Sequence, residues 1–246
     1  MVIDRINIHS LTIDYDSLII NGLTILIDKE LFWTSNDVVK KVQSIFKIKK
    51  VGHAGTLDPF ATGLLIICLS KHTKLINNYT DLSKEYTGLI KLGAKTISYD
   101  AEHPEFDIKP VDDIKLDILK ENAKKFIGDI KQYPPKFSAK KFGGKRQYLL
   151  SRNKIEFENN FSNVKILDFE IIDYYKPFVE FKIKVSKGTY IRSLANDFGN
   201  ELGVGGYLFS LRRTAIGNFN VENAIKISEL KEMINENILQ FWTNRL

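Results

Sequence analysis

The sequence predicts an α+β fold with a mixed, mostly antiparallel sheet flanked by helices. Segments with strand character and segments with helical period are interspersed, without a regular alternation of one strand and one helix. No internal repeat, low-complexity tract or linker interrupts them. The chain has 246 residues, 43% apolar and 27% charged, which suits a globular protein with a sizeable core. A single domain over residues 1–246 is expected.

Residues 1–18 alternate loosely and read as an edge strand or an N-terminal arm. Residues 19–28 (IINGLTILID) are rich in branched side chains and predict a strand. Ser35 or Asn36 can cap a helix whose apolar positions Val38, Val39, Val42, Ile45 and Phe46 fit the helical period. The basic run 47–50 suits its C-terminus. Residues 64–69 predict a buried strand, 72–82 a short helix and 84–93 (KEYTGLIKLG) an alternating strand. Residues 94–110 are polar and irregular. Residues 114–127 have helical spacing and stop near Gly128. Residues 164–175 and 178–186 predict two strands turned around Lys176-Pro177. Residues 190–202 place Ile191, Leu194, Ala195, Phe198 and Leu202 on one helical face, ended by Gly203. A strand at 207–213 and a helix within 228–241 complete the list.

The net charge of +6 favours an anionic partner. The single cysteine, Cys68, lies in an apolar run and reads as a small buried hydrophobe rather than a nucleophile. The four histidines, His9, His53, His72 and His103, have no metal-ligand spacing with one another or with cysteine, so no metal is expected. The polar residues Asp4, Arg5, Asn7 and His9 argue against a signal peptide. No apolar run approaches a membrane span, and a cytoplasmic location is expected.

Residues 131–154 (KQYPPKFSAKKFGGKRQYLLSRNK) carry eight Lys or Arg and no acid. Tyr133, Phe137, Phe142 and Tyr148 are interleaved among them, and Pro134-Pro135 and Gly143-Gly144 oppose a long helix. Such a segment is either a solvated basic loop or a projecting one that grips phosphates and stacks on bases. The absence of acids favours the second.

Residues 52–65 (GHAGTLDPFATGLL) hold three glycines, one proline and Asp58. Asp58 is the only acid between Asp37 and Asp81, an interval that holds seven lysines. By itself an Asp before Pro reads as a helix cap, and His53 as a loop hydrogen-bonder. Taken with KEYTG (84–88), QYPPKFSAKKFGGKRQY (132–148), KGTYIR (187–192) and LFSLRR (208–213), in that order, the sequence resembles the TruB family of bacterial tRNA pseudouridine-55 synthases. The resemblance spans residues 22 to about 230.

The resemblance implies the pseudouridine synthase fold and conversion of the T-loop uridine of tRNA to pseudouridine, with no metal or organic cofactor. It implies that Asp58 is the essential carboxylate, Arg192 its partner, and Tyr86 a ring that stacks on the target base and a candidate for proton removal. Tyr190 and Leu211 would line the pocket, His53 would help displace the uridine, and Lys29 matches the lysine of the first family motif. The 131–154 segment, with Lys140, Lys141, Lys145 and Arg146, would clamp the T-arm.

The chemistry asks for these residue types. Cleaving the glycosidic bond places positive charge on the sugar carbon, which a carboxylate stabilises or traps. An adjacent guanidinium favours the charged carboxylate and holds it by two parallel hydrogen bonds. The extruded base needs a stacking surface, and removing the C5 proton needs a base. Whether the carboxylate acts at C1′, at C6 or as a base at the sugar stays open at this level. Lys29 is followed by Glu30-Leu31-Phe32-Trp33 where the family pattern has Pro and a nearby Gly. No C-terminal PUA domain is expected, so the clamp must carry most of the RNA affinity. A monomer without an obligate protein partner is the default. An RNA-folding helper is the competing reading. A glycosidase is weaker, because Asp58 has no second acid in its motif.

Overall fold

The computed structural model describes residues 2, 3, 5, 21–135, 161–232 and 234, and the backbone of 141, 142, 145 and 146. The chain divides into two compact units. One comprises Met1–Lys84 and Arg212–Leu246, the other Glu85–Leu211.

The first unit contains strands β1 (Val2–Ile3), β2 (Leu23–Lys29), β3 (Val51–His53) and β4 (Thr62–Leu69), with helices α1 (Ser35–Phe46) and α2 (Ile76–Asp81). β1 joins β2 in parallel, and β2 runs antiparallel to β4 from Leu23↔Leu69 to Lys29↔Gly63. The other edge of β4 is shared. β3 pairs with it at 67–69, and Arg212 and Arg213 pair with Thr62 and Gly63.

Alternation along β2 and β4 sorts this core into two layers. Leu23, Ile25, Ile27, Leu65, Ile67 and Leu69 pack with Val38, Val42 and Phe46 of α1 and with Ile227 and Leu230. Leu26, Leu64, Ile66 and Cys68 face the opposite layer, with Ala54, Ile216 and Val221. Cys68 is fully buried, and burial pushes its thiol up to about 11.

The second unit contains β5 (Lys84–Leu92), α3 (Leu116–Lys124), β6 (Gly128–Gln132), β7 (Lys141–Phe142), β8 (Lys145–Arg146), β9 (Ser162–Tyr175), β10 (Phe178–Val185) and α4 (Ile191–Glu201). β11 (Gly206–Ile216) begins here and ends in the first unit, before β12 (Phe219–Asn220). Within the second unit the strand order is β11-β5-β10-β9-β6. β9 is antiparallel to both of its neighbours.

One face of this sheet is buried by helices. Phe169 and Phe181 of the strands stand edge-on at 6.1 Å, and Phe198 of α4 meets Phe169 at 5.5 Å. α4 presses on the start of β11: a Cβ on Gly199 would lie 2.2 Å from the Gly206 nitrogen. The α+β expectation holds: β1–β2 and β4–β11 pair in parallel, while β2–β4, β3–β4, β6–β9, β9–β10 and β11–β12 pair antiparallel.

Several boundaries differ from the sequence reading. The cap of α1 is Thr34, not Ser35 or Asn36. Thr34 Oγ1 accepts from Asp37 N at 3.0 Å while Asp37 Oδ2 accepts from Thr34 N at 3.0 Å, a reciprocal capping box. Ser35 is buried and turned to another task described below. The 72–82 helix is a 3₁₀ turn, Ser70–Leu75, followed by α2. The 114–127 helix is shorter, Leu116–Lys124, and strand β6 follows it at Gly128–Gln132. Residues 227–232 are helical, while 235–246 lie outside the described residues. So do 6–18 of the expected N-terminal arm, and 136–140, 143, 144 and 147–154 of the basic segment, including Lys140. No described helix is long and apolar enough to cross a membrane.

Thr34→Ala removes the hydroxyl half of the capping box and leaves the backbone bond to Asp37, and urea denaturation should show a loss of about 1 kcal/mol. An unchanged midpoint would mean that α1 does not depend on its cap.

Candidate active site

The 54–61 loop leaves the end of β3 and returns as β4. Ala54 N donates to Ile66 O at 2.9 Å, so the loop departs from a fixed point on the sheet. Asp58 lies at its apex, half-buried. No helix follows Pro59. Asp58 O instead accepts from Ala61 N at 3.1 Å, which closes a tight turn. The helix-cap explanation of the Asp-Pro pair therefore has no helix to cap.

Three buried side chains hold this loop by its backbone. Arg213, 1% exposed, donates from Nε to Leu64 O at 2.7 Å, from Nη2 to Gly55 O at 3.2 Å and from Nη1 to Thr56 O at 3.4 Å. Ser35 Oγ donates to Leu57 O at 3.1 Å and accepts from Leu57 N at 2.9 Å. Lys29, 1% exposed, donates from Nζ to Trp33 O at 2.7 Å, Glu30 O at 2.9 Å and Pro59 O at 3.3 Å. The same Pro59 oxygen accepts from Phe32 N at 2.8 Å. Phe32 adopts φ 64°, which closes the 30–33 connection without the Pro and Gly of the family pattern.

These cations shape the local electrostatics. The Lys29 pKa is lowered to about 8, chiefly by burial, with the Asp58 charge opposing that shift and the Arg213 charge adding to it. Burial, then the Arg213 charge, also holds the His53 imidazole below its ordinary range, against a smaller upward pull from the Gly55 backbone. Lys29 is the lysine that matches the first family motif. Its three donors are spent on carbonyls, which makes it a support for the loop in this structure.

Arg212 forms a two-point pair with Asp28, Nη2 to Oδ2 at 2.7 Å and Nη1 to Oδ1 at 3.0 Å. This fork ties the end of β11 to β2 within the first unit.

The second unit carries Tyr86, Tyr190, Arg192 and Leu211. Tyr86 on β5 is 8% exposed, Arg192 on the first turn of α4 is 6% exposed, and Leu211 is 7% exposed. Arg192 Nη1 meets Asp100 Oδ2 at 3.3 Å and Ser98 O at 3.4 Å. Asp100 is fully buried. Its Oδ1 accepts from Ser98 Oγ at 2.5 Å and from Glu102 N at 3.1 Å, and its carbonyl accepts from Thr96 Oγ1 at 2.7 Å. A buried pair of opposite charges is tolerated because the carboxylate's remaining lone pairs are also satisfied.

Sequence reading missed Asp100, which lay in a segment that looked like an ordinary polar connection. The available signal was the cluster Thr96, Ser98 and Asp100 at alternate positions. Among the described residues no group of three His, Cys, Asp or Glu could hold a metal ion.

The low-lying His53 pKa has a consequence with a definite sign. The folded state resists a proton that the unfolded chain accepts near 6.5, so His53 subtracts stability as pH falls below 6.5 toward its folded midpoint. NMR titration should give His53 a midpoint below that of an exposed histidine. A midpoint at or above 6.5 would contradict the burial and charge described here.

Comparison with known proteins agrees with these observations. The sequence model of the TruB family pseudouridylate synthase N-terminal domain matches residues 43–191, and that of the tRNA pseudouridylate synthase B C-terminal domain matches residues 192–240. The tRNA pseudouridine synthase B of Chloroherpeton thalassium is 47% identical over 87% of this chain and 91% of its own length. That of Flavobacterium johnsoniae is 43% identical over 87% and 97%. Among solved structures, the chain matches one in a Cbf5-Nop10-Gar1 complex with a TM-score of 0.69 at 29% identity, covering 89% of this chain and 56% of the other. It matches a chain of an H/ACA RNP bound to a substrate RNA with a TM-score of 0.66 at 28% identity, covering 88% and 54%. This chain thus spans about half the length of those two solved chains. With its α+β architecture and its pinned Asp58 loop, this chain belongs to the TruB family of pseudouridylate synthases and is an isomerase.

Proposed function

We propose that this chain converts the T-loop uridine at position 55 of tRNA to pseudouridine, with Asp58 as the essential carboxylate and without a cofactor. The observation that carries the proposal is the treatment of the Asp58 loop. Three buried side chains fasten its backbone at Gly55, Thr56, Leu57, Pro59 and Leu64. Such preorganisation serves a carboxylate that must meet a reacting atom in one geometry.

In this reading the target nucleotide leaves its stack at a cost of a few kcal/mol, and His53 occupies the vacated space as a neutral ring. The bond from C1′ to N1 breaks, and Asp58 stabilises or traps the resulting electron-poor centre. The base turns and C1′ bonds to C5. C5 then loses its proton and N1 gains one, so the product is an isomer of the starting nucleotide. Tyr86 stacks on the uracil and is the candidate for the C5 proton. Tyr190 and Leu211 shape the pocket. Arg192, by its match to the family motif, orients the Asp58 carboxylate, and Asp100 supports Arg192 from within its own unit. Lys140, Lys141, Lys145 and Arg146 contact T-arm phosphates.

Incubation of purified protein with an unmodified tRNA transcript, followed by pseudouridine mapping, should show a single modified site in the T-loop. Folded protein without product there would overturn the substrate assignment. Asp58→Asn should abolish product while tRNA affinity stays within about threefold of wild type. Retained turnover would remove Asp58 from the chemistry. A benefit to tRNA folding that survives in this variant would mark a second, folding role.

Phosphate contacts release counterions, so affinity should fall steeply with salt. The log–log slope is expected to be steeper than about −3, and a flat response would count against a phosphate-dominated interface.

A further inference from the structure

Tyr190 is the N-cap of helix α4 and its side chain makes no capping hydrogen bond. A glutamine from another strand is placed against that end. Gln132, the last residue of β6, is 2% exposed. Its Oε1 accepts from Tyr190 N at 2.8 Å, and its Nε2 donates to Tyr190 O at 3.0 Å. One side-chain amide thus engages both backbone groups of one residue, as a neighbouring strand would. The following residue adds a third tie: Ser193 Oγ donates to Tyr133 O at 2.7 Å. The three bonds bracket Arg192, falling two residues before it and one after it.

We propose that Gln132 is a positioning residue for Arg192, fixing the first turn of α4 to the strand that leads into the basic segment. The inference rests on the functional reading given above. Simple space-filling does not account for the arrangement. An apolar side chain would fill the same volume without burying an amide that needs two partners. The neighbours of Gln132 point the other way. Lys131 and Tyr133 are exposed, Lys131 Nζ lies 4.9 Å from the Phe161 ring centre, and Tyr133 meets the same ring edge-on at 6.2 Å. Three successive residues therefore set a cation and a ring outward while the amide between them holds the helix inward. RNA that touches the outer pair contacts the same backbone that fixes the turn carrying Arg192.

The test compares wild type with Gln132→Leu, which keeps the bulk and removes both hydrogen bonds, and with Ser193→Ala, which removes only the outer tie. Thermal midpoint, tRNA affinity and the single-turnover rate at saturating tRNA are measured for each. Gln132→Leu should hold affinity within about threefold while the rate falls about tenfold or more, and Ser193→Ala should show about a threefold loss. A folded Gln132→Leu whose rate stays within about twofold of wild type would overturn the proposal. So would equal losses of rate and affinity.

Hydrogen exchange at residues 190–194 needs no turnover and keeps this result separate from the substrate assignment. Faster exchange there in Ser193→Ala, with β9 and β10 unchanged, supports the bracket even if wild type makes no product on tRNA or Gln132→Leu does not fold. Unchanged exchange overturns it.

Discussion

The Arg213 guanidinium is the interaction on which the Asp58 loop of the first unit depends. A charge with 1% exposure has lost its water, and burial of that kind is sustained only when the lost hydration is replaced by well-placed dipoles. Gly55, Thr56 and Leu64 supply them as carbonyls. The requirement runs both ways, since those carbonyls need the donors as much as the cation needs acceptors. The approach is close enough to dictate sequence. Gly63 has φ +104°, and a Cβ there would lie 2.3 Å from Arg213 O. A side chain at 63 would push β4 away from β11 and undo the register that delivers the guanidinium.

The two units hold their candidate site residues by a common device. In the first, Arg213, Lys29 and Ser35 fasten a loop through its peptide groups. In the second, Asp100 takes bonds from Ser98 and Glu102 while it faces Arg192. These contacts are buried and made largely to backbone, so salt screens them far less than the surface pairs, such as Lys124 with Glu121 or Arg5 with Glu229. The supporting framework and the expected RNA contacts therefore respond differently to ionic strength.

The central strands and α1 were legible because their apolar periods are long and clean. β2 and β4 sort almost every side chain into one of two layers, which a period of two announces. β3 was missed because three residues carry no period, and Gly52 within it reads as a breaker. β6 was hidden because its residues continue a polar stretch after a helix and share only the ladder with β9. The cap of α1 went to the wrong residue because Thr34, Ser35 and Asn36 are all plausible on chemistry. Only the loop at Leu57, far along the chain, claims Ser35. The candidate site was proposed from its motifs, which do not reveal its supports. Asp58 and Arg192 stand in distinctive strings, whereas the roles of Asp100, Arg213 and Gln132 come from contacts that no local pattern encodes.

The sole cysteine offers a practical opening. Cys68 is sealed inside the layer beneath β4, with its thiol held firmly protonated, so maleimide reagents should pass it by. A cysteine introduced at an exposed position such as Tyr133 would be the one thiol available to a fluorophore. The encounter with RNA could then be followed optically without first stripping the native sulfur from the core.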